Sequence, residues 1–125
     1  MTIAFDERKV RTALRAAWSK DTARQWTPEN PAAGQCNVTA AVIQDLFGGD
    51  ILRTRLADGW HYYNRIDGRS IDFTDSQFTA PGALFSAHDV YADELTSKAD
   101  AMANIPQREY DTLKSALVGT LLEPD

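Results

Sequence analysis

The dipeptide Asp67-Gly68, set between the β-rich runs "WHYYNRI" and "RSIDFT", constrains this chain more than any other stretch. A two-residue Asp-Gly loop between such runs is the strongest short-range hairpin signal a sequence can carry, and its length leaves the flanking strands little choice of register. Ile66 then pairs with Arg69, Tyr63 lies opposite Asp72, and His61 lies opposite Thr74. Side chains alternate along a strand, so His61, Tyr63, Asp72 and Thr74 share one face. His61 and Asp72 become diagonal neighbours with Cβ atoms roughly 5 to 8 Å apart, close enough for a carboxylate to accept a hydrogen bond from an imidazole.

Upstream, residues 6–19 place Val10, Ala13, Leu14, Ala17 and Trp18 at three- and four-residue spacing behind Asp6 and Glu7, an amphipathic helix with acids at its positive end. Residues 20–35 have two prolines, a glycine and no period, and read as a loop anchored by Trp26. From Asn37 to Phe47 the chain is apolar almost all round and stops at Gly48-Gly49, which describes a buried central helix with Cys36 in its first turn. Residues 50–59 alternate as a strand and end in an Asp58-Gly59 turn. The stretch 79–104 reads as loop and short helix. Residues 106–122 close the chain with a helix whose face is Tyr110, Leu113, Leu117 and Leu121.

With 125 residues and no internal repeat or break in composition, residues 1–125 are expected to form a single α+β domain. A formal net charge of −5 with no basic run longer than "ERKVR" argues against nucleic acid as a partner. No apolar stretch approaches the roughly 20 residues that span a bilayer, and the N-terminus lacks a basic segment followed by an apolar one, so the expectation is a cytoplasmic protein without a membrane partner. One cysteine and two histidines cannot build a thiolate-rich zinc site, and no metal or cofactor is expected. The sequon Asn37-Val38-Thr39 falls inside the expected helix and is read as coincidence.

Cys36 supplies what the His61–Asp72 pair lacks, a nucleophile. A thiol at a helix N-terminus feels the positive end of the helix dipole, and a neighbouring imidazolium favours the thiolate further. Each residue has an ordinary structural use as well: a packed core thiol, a strand histidine, a solvated carboxylate beside a turn. Taken together, a helix-start cysteine, a strand histidine and a carboxylate on the next strand fill the three roles of nucleophile, base and orienting acid. His88, the other histidine, lies in a segment with no expected strand beside it, and its neighbour Asp89 is badly placed to orient the ring.

The blocks "NPAAGQC" (30–36), "TAAVIQDLFGGDILR" (39–53) and "HYYNRIDGRSIDFTDSQF" (61–78), with Trp18, Trp26 and more weakly "REYDTLK" (108–114), resemble a family of small bacterial proteins named after YunG. The Cys, His and Asp blocks in that order are also similar to those of the papain-like and transglutaminase-like cysteine hydrolases. That wider resemblance implies a central Cys-bearing helix packed on a small antiparallel sheet, with flanking N- and C-terminal helices. It implies Cys36 as nucleophile, His61 as general acid and base, and Asp72 as the orienting carboxylate. Papain-like enzymes also pair the nucleophile's backbone N–H with an upstream side-chain amide; Asn30 and Gln25 lie upstream and Gln35 adjoins the cysteine, and of these Asn30 or Gln35 is expected, although Asn30 also suits the start of an Asn-Pro turn.

The expected function is therefore cysteine-dependent hydrolysis or acyl transfer at an amide, isopeptide or other acyl bond of a peptide, protein or small substrate. The alternative is a non-catalytic interaction module that keeps the fold around an inert thiol. A redox-sensing thiol is disfavoured by the lack of a second, resolving cysteine. Trp60, Tyr62 and Tyr63 beside the histidine read as packing residues rather than as an acyl cleft. The oligomeric state is open.

Overall fold

In the computed structural model, which describes residues 3–57, 59–79 and 91–123, the Asp-Gly loop closes as a tight hairpin. Asp67 and Gly68 have φ of 51° and 78°, the positive values that a type I′ turn requires at both central positions. The strands it joins, β2 (Gly59–Ile66) and β3 (Arg69–Ile71), pair Ile66 with Arg69, Arg65 with Ser70 and Asn64 with Ile71. This is the register expected from the turn.

The ladder stops at Ile71, so Tyr63–Asp72 and His61–Thr74 are not strand pairs. The reason is local. The Asp72 side chain accepts from Thr74 N at 3.0 Å and from Thr74 Oγ1 at 3.1 Å, an Asx-type turn that offers the backbone an alternative to the ladder. The chain swings out of the sheet there into a short 3₁₀ turn, Asp75–Phe78.

On its other edge β2 pairs antiparallel with β1 (Asp50–Leu56), the run whose residues alternate. Asp58 lies outside the described residues, and Gly59 already opens β2. A further strand, β4 (Glu94–Thr96), pairs antiparallel with β1 and completes a four-stranded antiparallel sheet of order β3-β2-β1-β4. Periodicity over 79–104 did not predict β4, because three residues are too few to carry a pattern.

Among the described residues four helices accompany the sheet: α1 (Glu7–Ala17), α2 (Cys36–Phe47), the single turn α3 (Lys98–Ala101) and α4 (Gln107–Leu121). Asp6 caps α1, its side chain accepting from Lys9 N, and Pro106 precedes α4. Six consecutive residues of α2, Val38 to Ile43, are buried, as an all-round apolar helix must be. One side of α2 packs with α1 and α4 around Val10, Leu14, Val42, Leu113 and Leu117. The other side meets the sheet through Ala40, Ile51 and Tyr62, where Asn64 Nδ2 also donates to Ala40 O at 3.0 Å. The fold is thus α+β, with the Cys-bearing helix on a small antiparallel sheet between N- and C-terminal helices. No helix among the described residues is long and apolar enough to cross a membrane.

The link from α2 into β1 depends on Gly49, which has φ of 78° and where an added Cβ would collide with the Arg65 carbonyl oxygen. Gly119, on exposed α4 surface, has open space instead. Gly49→Ala is expected to lower unfolding stability by about 2 kcal/mol or more, while Gly119→Ala raises it by about 0.5 kcal/mol, both read from urea denaturation midpoints.

Candidate functional site

Cys36 is the first residue of α2, and the residue before it, Gln35, places no side chain over the helix's first amides. Gln35 turns the other way. Fully buried, it accepts from Thr22 Oγ1 at 2.8 Å and approaches Ser19 O at 3.5 Å, which ties the 20–35 loop to the start of the helix. Cys36 itself is half-buried, and its thiol donates to Asn37 Oδ1 at 3.3 Å, while Asn37 Nδ2 donates to Ala101 O at 2.7 Å. Cys36 packs against the cluster of Ala40, Ile51, Tyr62 and Ala101, where α2 meets the sheet.

Because β3 ends early, no strand among the described residues pairs with the first half of β2 on that side, and the diverging chain brings Asp72 onto His61 directly. His61 Nε2 and Asp72 Oδ2 lie 2.7 Å apart, with the two residues 3% and 9% exposed. The ring sits in an aromatic surround: Phe78 edge-on at 5.0 Å, Tyr91 edge-on at 5.9 Å and Tyr63 stacked at 6.0 Å between centroids.

Burial alone would push the imidazole toward its neutral form. The Asp72 hydrogen bond and the nearby Cys36 thiol outweigh it, helped by the charges of both partners, and the His61 pKa rises from 6.5 to about 9. Asp72 moves the other way: burial favours its protonated form, but His61, Tyr91 and the Thr74 amide hold the carboxyl below its usual range. With Nε2 committed to Asp72, Nδ1 is the ring nitrogen left for the sulfur. Asp72 and Cys36 thus both act on the His61 ring, Asp72 through the 2.7 Å bond and Cys36 from the start of α2.

The two amide candidates differ in placement. Asn30 Nδ2 donates to Gln77 O at 3.2 Å, and Gln77 Nε2 donates in turn to Thr74 Oγ1 at 3.0 Å, so Asn30 is tied to the Asp72 turn while its own Oδ1 is buried without a partner. Gln35 is tied to Ser19 and Thr22 instead. Tyr62 and Tyr63 are buried packing residues, whereas Trp60 is 38% exposed with the Arg53 guanidinium 3.9 Å from its ring centroid. His88 lies outside the described residues. Among the described residues, no group of three or more His, Cys, Asp or Glu side chains clusters as metal ligands.

Two contributors have no sequence signature. Tyr91 donates its hydroxyl to Asp72 Oδ2 at 2.7 Å from a segment without period. Asn37 joins through a bond to its own neighbour, visible only once the helix start is placed.

Residues 6–121 match the model of a family described as YunG protein. A relative from Bacillus subtilis (strain 168), the uncharacterized protein YunG, is 40% identical over 107 residues, covering 86% of this chain and 87% of the relative. No solved structure matches the chain.

The buried pair makes stability depend on pH with a definite sign. The folded His61 pKa of about 9 lies above the unfolded 6.5, so its contribution is complete below pH 6.5 and is lost as pH rises through about 9. Asp72 is lowered from 3.8, so its contribution is present above pH 3.8 and is lost as pH falls below that. Asp72→Ala leaves a buried cation without its partner and is expected to cost about 3 kcal/mol near pH 6, shrinking toward pH 10, measured by urea denaturation across pH.

Proposed function

The chain belongs to the YunG family, and we propose that it is a cysteine-dependent hydrolase or acyltransferase that works through a thioester on Cys36. The observation that carries the reading is a single one: the buried His61 is bonded to Asp72 at 2.7 Å and shifted toward the imidazolium by both Asp72 and Cys36.

In this reading the Cys36 thiolate attacks an acyl carbonyl carbon and His61 passes its proton to the departing amine or alcohol, leaving an acyl thioester. Water or an amine then attacks the thioester, His61 takes the incoming group's proton, and the C–S bond breaks to restore the thiolate. Asp72 holds the ring. The developing oxyanion would draw on the amides at the start of α2, which Gln35 leaves uncapped; of the candidate side-chain amides, Asn30 Nδ2 is bonded to Gln77 O and Gln35 Nε2 points to Ser19 O. A Cys-bearing helix on an antiparallel sheet, with His on a strand and Asp just beyond the next, is the arrangement proposed here as papain-like or transglutaminase-like. The substrate class is a peptide, protein or small acyl or amide compound.

A second reading, an interaction module with an inert thiol, draws on the thiol's hydrogen bond to Asn37 Oδ1. Acylation by p-nitrophenyl acetate separates the two. Wild type is expected to give a nitrophenol burst and an acetyl adduct on Cys36, absent in Cys36→Ser and at least about tenfold slower in His61→Ala. Iodoacetamide labelling of Cys36 at neutral pH should slow by about tenfold or more in the same variant. Acetylation and labelling rates unchanged in His61→Ala would establish the inert thiol and overturn the enzyme reading.

A further inference from the structure

The Asp72 carboxylate accepts four hydrogen bonds: at Oδ1 from Thr74 N and Thr74 Oγ1, and at Oδ2 from His61 Nε2 and Tyr91 Oη. The Thr74 pair belongs to the turn that carries Asp72, and His61 is the residue Asp72 serves. Tyr91 is different, because it arrives from 19 residues away in sequence and shares with His61 the same oxygen, at the same 2.7 Å. Such a contact has to be built by the fold.

The building is visible in the residues that follow. Ala92 N donates to Thr54 Oγ1 at 3.0 Å, and Asp93 N donates to Tyr63 Oη at 2.7 Å. Tyr63 Oη in turn donates to Asp93 Oδ1 at 2.7 Å, and Ser70 Oγ donates to Asp93 Oδ2 at 2.9 Å. Asp93 takes φ of 51°, a left-handed conformation that Asp tolerates better than most residues. Residues 91–93 thus form a strap pinned to β1, β2 and β3 before the chain enters β4. The strap also sets the Tyr91 ring edge-on to His61 and 4.9 Å from Tyr63, as one wall of the imidazole's surround.

We propose that Tyr91 is a positioning residue of this site: its hydroxyl fixes the Asp72 carboxylate against His61, and its ring excludes water from the His61–Asp72 bond. The proposal rests on the Cys36–His61–Asp72 reading and adds a fourth member to it. Tyr91 acts through Asp72 and does not touch the reacting sulfur. A carboxylate that accepts a phenol hydrogen bond is a weaker base, so Tyr91 keeps Asp72 ionised in acid, the direction in which it acts on that carboxyl.

The other charged and titratable groups around this carboxylate come from every element packed on it. His61 and Tyr63 face it from β2, with Cys36 from α2 beyond the ring. Arg11 of α1 donates to the Asp72 backbone carbonyl at 3.3 Å and to Asp75 at 3.3 Å, and Asp93 lies on the strap itself. All of these are kept in Tyr91→Phe, which retains the ring and deletes one donor.

The test follows the His61 ring resonance by NMR from about pH 3 to pH 7, assigned with a His61→Gln sample, in wild type, Tyr91→Phe and Tyr110→Phe. Tyr110 is a core tyrosine of α4 whose hydroxyl meets Lys98, away from the site. Protonation of Asp72 shows as an acid inflection of the ring resonance. In Tyr91→Phe that inflection should move to higher pH by about half a unit or more, while Tyr110→Phe leaves it in place. Should acid unfolding come first, its midpoint should move up by more than the loss of stability at pH 7 accounts for. An unshifted inflection, or a midpoint shift no larger than that loss explains, overturns the proposal, since a merely structural tyrosine lowers stability equally at both pH values. Iodoacetamide labelling of the same samples keeps the two readings distinguishable: a rate unaffected by His61→Ala overturns the enzyme reading, while the ring resonance still reports on Tyr91.

Discussion

A two-residue turn with both central residues at positive φ leaves a hairpin almost no slack, and at Asp67-Gly68 that rigidity reaches the site five residues away. Side chains alternate along β2, so a slip of one residue would carry His61 to the other side of the strand and put a tyrosine in its place. The same alternation that presents His61 to Asp72 presents Tyr62 and Asn64 to α2, where Asn64 bonds the Ala40 carbonyl. One turn therefore sets two relations at once: the strand against its acid, and the strand against the helix that carries Cys36.

What could be read from the residues divides along the same line. The hairpin register, the buried α2 with Cys36 at its start and the amphipathic faces of α1 and α4 follow from local chemistry: an Asp-Gly pair, an apolar run stopped by Gly48, leucines at helical spacing. The contact of His61 with Asp72 was also legible, though by a route that needed correction. Asp72 reaches the ring because its own side chain bonds Thr74 and diverts the chain out of the ladder, and a strand pattern contains no sign of that competition. Tyr91 and β4 were invisible for another reason. Residues 91–93 are placed by long-range bonds with Asp72, Thr54 and Tyr63, and β4 by three residues of pairing with β1, none of which leaves a periodic trace.

A buried carboxylate and a buried imidazolium are each costly to remove from water, and their attraction offsets that cost only when the remaining lone pairs and protons are matched. Asp72 meets the condition, since both of its oxygens are bonded twice. The aromatic rings of Tyr63, Phe78 and Tyr91 then have a dual effect. They raise the desolvation cost, and by keeping water away they strengthen the bond that compensates for it.

In the proposed reaction the two causes that hold the proton on His61 do not persist equally. Asp72 is present throughout, whereas the sulfur contributes only while it can bear charge. Once Cys36 carries an acyl group it is neutral, its share of the stabilisation disappears, and burial, which always favours the neutral ring, gains weight. The imidazole would then bind its proton less tightly just after donating it to the leaving group. A ring that begins as an acid is thereby left as a base for the incoming water or amine, without any movement of the scaffold. Asp72 sets the limit of that change: a tighter carboxylate bond makes the first proton transfer slower, and a looser one leaves the ring unoriented for the second.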